Sequence, residues 1–122
     1  MIFSAMNVET LRLYCLGKAG TTEGFPFDND TLVFKVRGKM FALISLATAL
    51  TVNLKCDPER ALSLRAHHPE QVRPGYHMNK KHWNTVSLDL PTDLLRELVD
   101  HSYELVVKTL KKADQDALSA AD

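Results

Sequence analysis

The sequence has little cysteine and no excess of charge of either sign. Its only two cysteines among 122 residues, Cys15 and Cys56, lie far apart in apolar segments. Such cysteines are typical of reduced core residues, so we expect no disulfide and a cytoplasmic location. The net charge is zero, with 15 basic and 15 acidic residues. This balance counts against a strong non-specific nucleic-acid binder, unless the basic residues cluster in one place.

Long hydrophobic runs are also missing. No apolar run approaches the ~18 residues that a membrane span requires, and the first residues lack the pattern of a secretion signal, so we expect no membrane partner. Hydrophobic residues make up 45% and charged residues 25%, which is ordinary for a globular protein. We therefore expect a single domain over residues 1–112, followed by a polar tail over residues 113–122.

The hydrophobic pattern predicts elements in the order α, three or four strands, α, one strand, α. Asn7 and Asp57 can cap the first two helices, and Pro58 suits a first helical position. Between them, alternating apolar residues with a turn at Gly38 indicate a β-meander. Consecutive strands favour an α+β fold, with an antiparallel sheet and helices packed on one face. The predicted helices are at about 7–16, 57–67 and 91–112, and the strands at about 32–37, 40–47, 51–56 and 83–89.

The segment from Arg65 to Trp83 has no visible period, is locally basic and holds four of the five histidines. If the last strand alternates regularly, Trp83 lies on the polar face with Thr85 and Ser87. An exposed indole there could stack on a base while the lysines contact phosphate. The alternative is that Trp83 covers the sheet edge and is buried, as tryptophan usually is. The candidate nucleic-acid-binding residues are Arg73, Tyr76, His77, Asn79, Lys80, Lys81, His82 and Trp83.

No catalytic, metal or cofactor site can be recognised. The histidines of this segment fit no zinc-binding spacing, and the glycines form no nucleotide-binding fingerprint, so we expect neither a metal nor a cofactor. Neither cysteine has a basic neighbour that would lower the pKa of its thiol, and there is no nucleophile elbow. We therefore expect no enzymatic activity. On the last helix, we expect His101 to be a surface residue, and Ser102 and Tyr103 to serve packing.

One run of residues is distinctive: PGYHMNKKHWNTV, at positions 74–86, resembles the signature of the MmcQ/YjbR family. The segment Phe25-Pro26-Phe27, the hairpin at Gly38 and Ser102-Tyr103 followed by Leu105-Val106 also match, so the resemblance covers nearly the whole chain. It implies a YjbR-like α+β fold related in architecture to the type III secretion chaperones. It also implies DNA binding through a double-wing arrangement.

Two functions stand as hypotheses. The first is a nucleic-acid-binding module for DNA or RNA, in which Arg73, Lys80 and Lys81 contact phosphate and Trp83 or Tyr76 stacks on a base. The second is a non-catalytic, chaperone-like module that binds a protein or peptide through the sheet face or an edge strand, or forms a homodimer.

The basic loop also has an architectural interpretation, in which Asn79 holds the turn that leads into the last strand. The surface discriminates between the two functions. A contiguous basic face that includes Lys35, Arg37, Lys80 and Lys81 favours nucleic acid, whereas a broad apolar patch favours a protein partner.

Overall fold

A computed structural model of the protein describes residues 6–48, 50–75 and 78–120. Within these residues the chain forms one sheet of six antiparallel strands and four helices, in the strand order β1-β2-β3-β4-β6-β5, so the predicted α+β class is confirmed. The helices are α1 (Val8–Leu16), α2 (Pro58–His67), α3 (Thr92–Val107) and α4 (Lys112–Ala120). The strands are β1 (Thr21–Gly24), β2 (Thr31–Val36), β3 (Lys39–Ser45), β4 (Thr51–Lys55), β5 (Val72–Pro74) and β6 (Trp83–Ser87).

Local signals place the first two helices where the sequence predicted them. Asn7 and Thr10 form a reciprocal capping box, because the Asn7 side chain accepts from the Thr10 backbone N–H while the Thr10 hydroxyl accepts from the Asn7 N–H, both at 2.9 Å. Asp57 caps α2 by accepting from the Arg60 N–H, with Pro58 as the first helical residue. Side-chain oxygens thus satisfy backbone donors that a helix start leaves without partners.

The hairpin between β2 and β3 has a two-residue turn, Arg37-Gly38. Both residues have positive φ, +49° and +87°, as a type I′ turn requires. This confirms the turn predicted at Gly38. The Arg37 guanidinium pairs with the Asp114 carboxylate of α4, with Nη2 and Oδ1 2.8 Å apart, so the turn is attached to a helix distant in sequence.

The main hydrophobic core lies between the helices and one face of the sheet. All four helices contribute to it, through residues such as Leu11, Leu64, Leu95 and Leu118. The helices are therefore packed on one face, as the sequence predicted. We call the opposite face the open face, since no helix contributes to the apolar cluster that lies on it in the described part of the chain.

A β-bulge lies in the middle of the sheet and is closed by a helix side chain. Pairing between β2 and β3 passes from Phe34↔Ala42 to Lys35↔Met40, so Phe41 is the extra residue. The buried hydroxyl of Ser102 on α3 donates to the Phe41 carbonyl at 2.6 Å and accepts from the Lys55 N–H at 2.9 Å. One hydroxyl thereby satisfies backbone groups of two strands and fastens α3 to both.

Both cysteines are buried and free, as predicted. Burial raises the pKa of the Cys15 thiol to about 12 and raises the pKa of Cys56 as well. Because the thiolate is the reactive form, these positions favour inert core residues. No helix in the described part of the chain combines the length and apolar character that a bilayer span requires.

The C-terminal part of the chain differs from the prediction. The sequence predicted one helix from about Pro91 to about Lys112. The structure has two helices there: α3 ends at Val107 and α4 begins at Lys112. Residues 113–120, expected to be a polar tail, lie in α4. Its buried Leu118 covers Gly20, where an added Cβ would lie 2.3 Å from Leu118 Cδ2. One apolar contact thus holds a helix whose composition is otherwise polar.

His101 on α3 was expected at the surface, but it is half-buried and bonded. Its Nε2 accepts from the Asp57 N–H at 3.1 Å, next to the start of α2. The pKa of His101 is lowered, because burial disfavours the imidazolium and the Arg60 guanidinium repels it.

We predict that Ser102→Ala destabilises the fold by about 2–4 kcal/mol, because the Phe41 carbonyl and the Lys55 N–H both lose a buried partner. Urea unfolding measures the loss. Ser119→Ala, an exposed serine on α4, is the matched control and should change stability by no more than ~0.5 kcal/mol. Equal stability of the Ser102 variant and the wild type would contradict this account of the bulge.

We also predict that the free energy of unfolding falls as the pH drops below about 6.5. The pKa of His101 is lower in the folded protein than in the unfolded chain, so the unfolded chain binds the proton first as the pH falls. The contribution of neutral His101 to the free energy of unfolding is therefore complete above the unfolded pKa, and it is lost as the pH falls through the folded pKa. Urea unfolding between about pH 7.5 and about pH 5.5 should show a shallower fall for His101→Gln. The lowered pKa values of Glu23, Asp28 and Asp89 act at more acidic pH. An unchanged pH dependence in the variant would exclude His101 as the cause.

Candidate nucleic-acid interface

Strand register brings one continuous row of residues across the open face. In each pair of neighbouring strands, one residue lies directly opposite the next member of the row, from Gly24 in the edge strand β1 to Arg73 in the edge strand β5. Because directly opposed residues share a face, these side chains form a single line over the six strands. In chain-pairing order the row is Gly24, Val33, Leu43, Asn53, Thr85 and Arg73.

An apolar cluster occupies part of the open face. Val33, Leu43 and Trp83 are buried together, with Met40 and Met78 packed against them. The alternation predicted for β6 is confirmed, since Trp83 lies on the face opposite to the main core. Of the two alternatives, the exposed indole is wrong and the buried indole is confirmed, because Trp83 is only 8% exposed. Side chains from β2, β3 and the loop before β6 cover it, so it cannot serve as the stacking surface proposed from the sequence.

Two open depressions lie beside this cluster. The larger, which we call the main groove, has a volume of about 670 Å³, and the smaller side hollow one of about 330 Å³. Phe27 borders the main groove and Phe25 the side hollow, and the two rings are 63% and 49% exposed. The main groove is lined by Phe27, Asp28, Thr31, Met40, Leu43, Ser45, Asn53 and Met78, and the side hollow by Thr22, Glu23, Gly24, Phe25, Pro26, Val33 and Lys35.

The charges of the open face are cationic and unpaired. Lys35 lines the side hollow, Lys55 is paired in register with Trp83, and Arg73 ends the row across the sheet. None of these three has an ion-pair partner among the described residues. By contrast, five cations elsewhere are matched with carboxylates: Arg12, Lys18, Arg37, Arg60 and Lys112.

Two carboxylates border this surface, Asp28 at the main groove and Glu23 at the side hollow. Asp28 accepts hydrogen bonds from the backbone N–H groups of Asp30 and Thr31 and from the Thr31 hydroxyl. These bonds lower the pKa of Asp28. Both carboxylates are engaged, Asp28 in holding its turn and Glu23 in its pair with Arg12.

The loop between β5 and β6 is held chiefly by its own backbone and by Asn79. The Asn79 side-chain oxygen accepts from the Lys81 N–H, and the Asn79 backbone carbonyl accepts from the N–H groups of His82 and Trp83. This is the turn-holding role predicted for Asn79. The backbone of Gly75 lies against Trp83, where an added Cβ would be 3.1 Å from the Trp83 Cβ.

The remaining predicted site residues are distributed unevenly. Arg73, Lys80 and Lys81 are exposed and His82 is half-buried, whereas Tyr76 and His77 lie outside the described residues. Arg37 does not join Lys35 on a common basic face, because it sits in the hairpin turn and pairs with Asp114. The basic face that would favour nucleic acid, with Lys35, Arg37, Lys80 and Lys81, therefore lacks Arg37. The cations on the open face are Lys35, Lys55 and Arg73, and Lys80 and Lys81 lie in the loop before β6.

Arg65 fastens this loop to the body of the protein, a role that its sequence context did not reveal. Its Nε donates to the buried Asn84 Oδ1 at 2.7 Å, and its Nη2 donates to the carbonyls of Lys80 and Trp83. Asn84 Nδ2 is buried without a partner in the structure. Asn84 therefore depends on Arg65 for its side-chain hydrogen bond.

Metal chemistry finds no support in the described residues. Over 6–48, 50–75 and 78–120, no three His, Cys, Asp or Glu side chains come together as a metal ion would require. Two of the described histidines have other contacts: His67 Nδ1 lies 2.7 Å from the Ser63 carbonyl oxygen of its own helix, and His101 Nε2 accepts from the Asp57 N–H. The absence of catalysis stays a prediction.

A six-stranded antiparallel sheet with helices on one face, and an apolar cluster with neighbouring cations on the other, defines a small α+β protein. The model of the YjbR family matches residues 16–105, and this chain belongs to that family. The family resemblance of residues 74–86 is thereby confirmed.

Relatives in bacteria span most of the chain. The Uncharacterized protein YbdF of Escherichia coli O157:H7 is 44% identical over 94 residues, 75% of this chain and 76% of its own length. The Uncharacterized protein YjbR of Escherichia coli strain K12 is 36% identical over 116 residues, 93% of this chain and 98% of its own. Neither name states a ligand.

Two solved structures share the fold. The crystal structure of Deinococcus radiodurans protein DR2400, a DUF419 domain, matches with a TM-score of 0.89 and 44% identity, covering 97% of this chain and 92% of that one. A Pseudomonas syringae protein matches with a TM-score of 0.69 and 30% identity, covering 82% and 98% of the two chains.

We predict that Arg65→Gln loosens the loop and exposes Trp83. The shorter side chain cannot bond Asn84 and the Lys80 carbonyl together, so the buried indole loses its cover. Because Trp83 is the only tryptophan, iodide quenching of intrinsic fluorescence reports on it directly. Quenching should be weak in the wild type and stronger in the variant. Arg60→Gln, on the same helix but paired with Glu97, should leave quenching unchanged; equal quenching in all three proteins would contradict the fastening role.

Proposed function

We propose that the protein binds nucleic acid through the open face of its sheet and the adjoining loop. The observation that carries this proposal is the charge distribution: Lys35, Lys55 and Arg73 lie on the open face without carboxylate partners. Polyanion binding draws most of its affinity from such cations, since each phosphate contact releases condensed counterions.

The zero net charge does not oppose this function, because a locally positive surface steers a polyanion even when the whole protein is neutral. Carboxylates pair with cations such as Arg12, Arg37 and Lys112, whereas the described residues offer no ion-pair partner to Lys35, Lys55 or Arg73. Exposed Lys81, in the loop that leads into β6, extends the same sign of charge.

The alternative is a protein- or peptide-interaction module, and the exposed Phe25 and Phe27 are the observation that favours it. We prefer nucleic acid, because Lys35 borders the side hollow with Phe25 and the cations Lys55 and Arg73 continue across the same face. Such a row suits a phosphate chain better than an apolar partner surface. Salt dependence separates the two functions, since apolar association is far less sensitive to salt.

The test compares two variants that remove the same charge from different surfaces. Lys35→Gln/Lys55→Gln/Arg73→Gln removes three cations without a described partner from the open face, and Arg37→Gln/Arg60→Gln/Lys112→Gln removes three paired ones from elsewhere. Fluorescence anisotropy with labelled single-stranded DNA, duplex DNA and RNA at several salt concentrations gives the slope of log affinity against log salt. The open-face variant should lose about 2–3 from the magnitude of that slope, and the control variant little.

Absence of binding at low salt, or equal losses in the two variants, would refute the proposal. A separate variant, Lys80→Ala/Lys81→Ala, tests the contribution of the loop. If both lysines contact phosphate, the magnitude of the slope of log affinity against log salt should fall by up to about 2.

A further inference from the structure

We infer that the ligand of the open face is single-stranded nucleic acid, with its bases stacked on Phe25 and Phe27. This inference rests on the proposed function and specifies the substrate class of the same surface.

The first argument is the exposure of the two rings. Among the described aromatic side chains, Phe25 and Phe27 are the exposed ones; the other described rings are buried or half-buried. Both belong to the connection between β1 and β2, on either side of Pro26, and each borders a depression of the open face. Unpaired bases offer flat faces to such rings, and this stacking tolerates any base sequence.

The second argument is what surrounds each ring. Lys35 lines the side hollow together with Phe25, so a base stacked there would bring its phosphate close to an ammonium group. Asn53, Ser45 and Thr31 line the main groove together with Phe27. The Asn53 carbonyl oxygen accepts from the Thr85 hydroxyl, and its amide N–H groups can still donate to a base edge. A stacking ring beside a cation and polar side chains is the combination used by single-strand binding surfaces.

The third argument is the extent of the cationic surface. Lys35 lies on β2 and Arg73 on β5, four strand spacings apart, or roughly 19 Å at ~4.8 Å per strand. A single strand that begins at Phe25 can follow the row of open-face residues past Lys55 to Arg73. In a duplex the base faces are stacked on one another, so the two phenylalanine rings would have no partner.

The test uses three labelled probes of equal length at low salt: single-stranded DNA, its duplex, and an abasic phosphodiester strand that keeps the phosphates and lacks the bases. The variant Phe25→Leu/Phe27→Leu keeps apolar side chains and removes the aromatic faces. The control Leu62→Ala truncates an equally exposed apolar side chain, 63% exposed, on α2.

We expect the wild type to prefer the base-bearing single strand over the duplex and the abasic strand. The leucine variant should lose roughly 5- to 150-fold in affinity for each base that stacks, and only for the base-bearing strand. The control should bind all three probes as the wild type does.

Equal affinity of the wild type for all three probes, unchanged by the leucine substitutions, overturns the single-strand inference and leaves the proposed function in place. Absence of binding to every probe overturns both this inference and the proposed function. Loss of duplex and abasic binding in the leucine variant also overturns the inference, since it would show a structural rather than a stacking role.

Discussion

The hydroxyl of Ser102 lies between β3 and β4 and forms hydrogen bonds with the backbone of both strands. The bulge at Phe41 interrupts the register between β2 and β3, and the pairing of β3 with β4 begins only at Ala42↔Leu54. Just beyond that pair, the hydroxyl bonds the Phe41 carbonyl and the Lys55 N–H. Because this bond fixes α3 on the sheet, the neighbouring Tyr103 can pack edge-on against Phe41, with ring centroids 5.3 Å apart, and donate to the Ala19 carbonyl. One short side chain thus aligns a helix, the sheet centre and the corner before β1. It also commits the helices to one side and leaves the other side uncovered.

The division between the two sides extends to charge. Lys18 pairs with Asp100 and Arg12 with Glu23, and these contacts join α1 to its surroundings on the helix side. Exposed pairs of this kind contribute only about 0–1 kcal/mol each, so their main effect is on the shape of the electrostatic field. Because carboxylates neutralise several cations around the helices, the positive charges of Lys35 and Lys55 remain on the open face of a neutral protein.

Sequence patterns anticipated features that depend on neighbouring residues and missed those that depend on distant ones. The Asn7 cap, the Asp57-Pro58 helix start and the turn at Gly38 each follow from a few adjacent residues. β5 was missed because three residues ending in Pro74 show no alternation, and its only partner is β6. The sequence left burial and exposure of Trp83 open for a related reason: alternation gave its face correctly, but the residues that cover it, Val33 and Leu43 in particular, come from strands much earlier in the chain.

The hairpin turn at Arg37 shows a conflict between local and tertiary preference. Asparagine or glycine suits the positive φ of that position better, since a left-handed conformation costs other residues about 1–2 kcal/mol. Here the arginine guanidinium reaches Asp114 on α4. Gly38 adopts its positive φ without a steric cost, whereas Arg37 adopts it at a cost and its side chain anchors a helix. Redesigning this turn for ideal local geometry would therefore trade a more favourable backbone for a weaker attachment of α4.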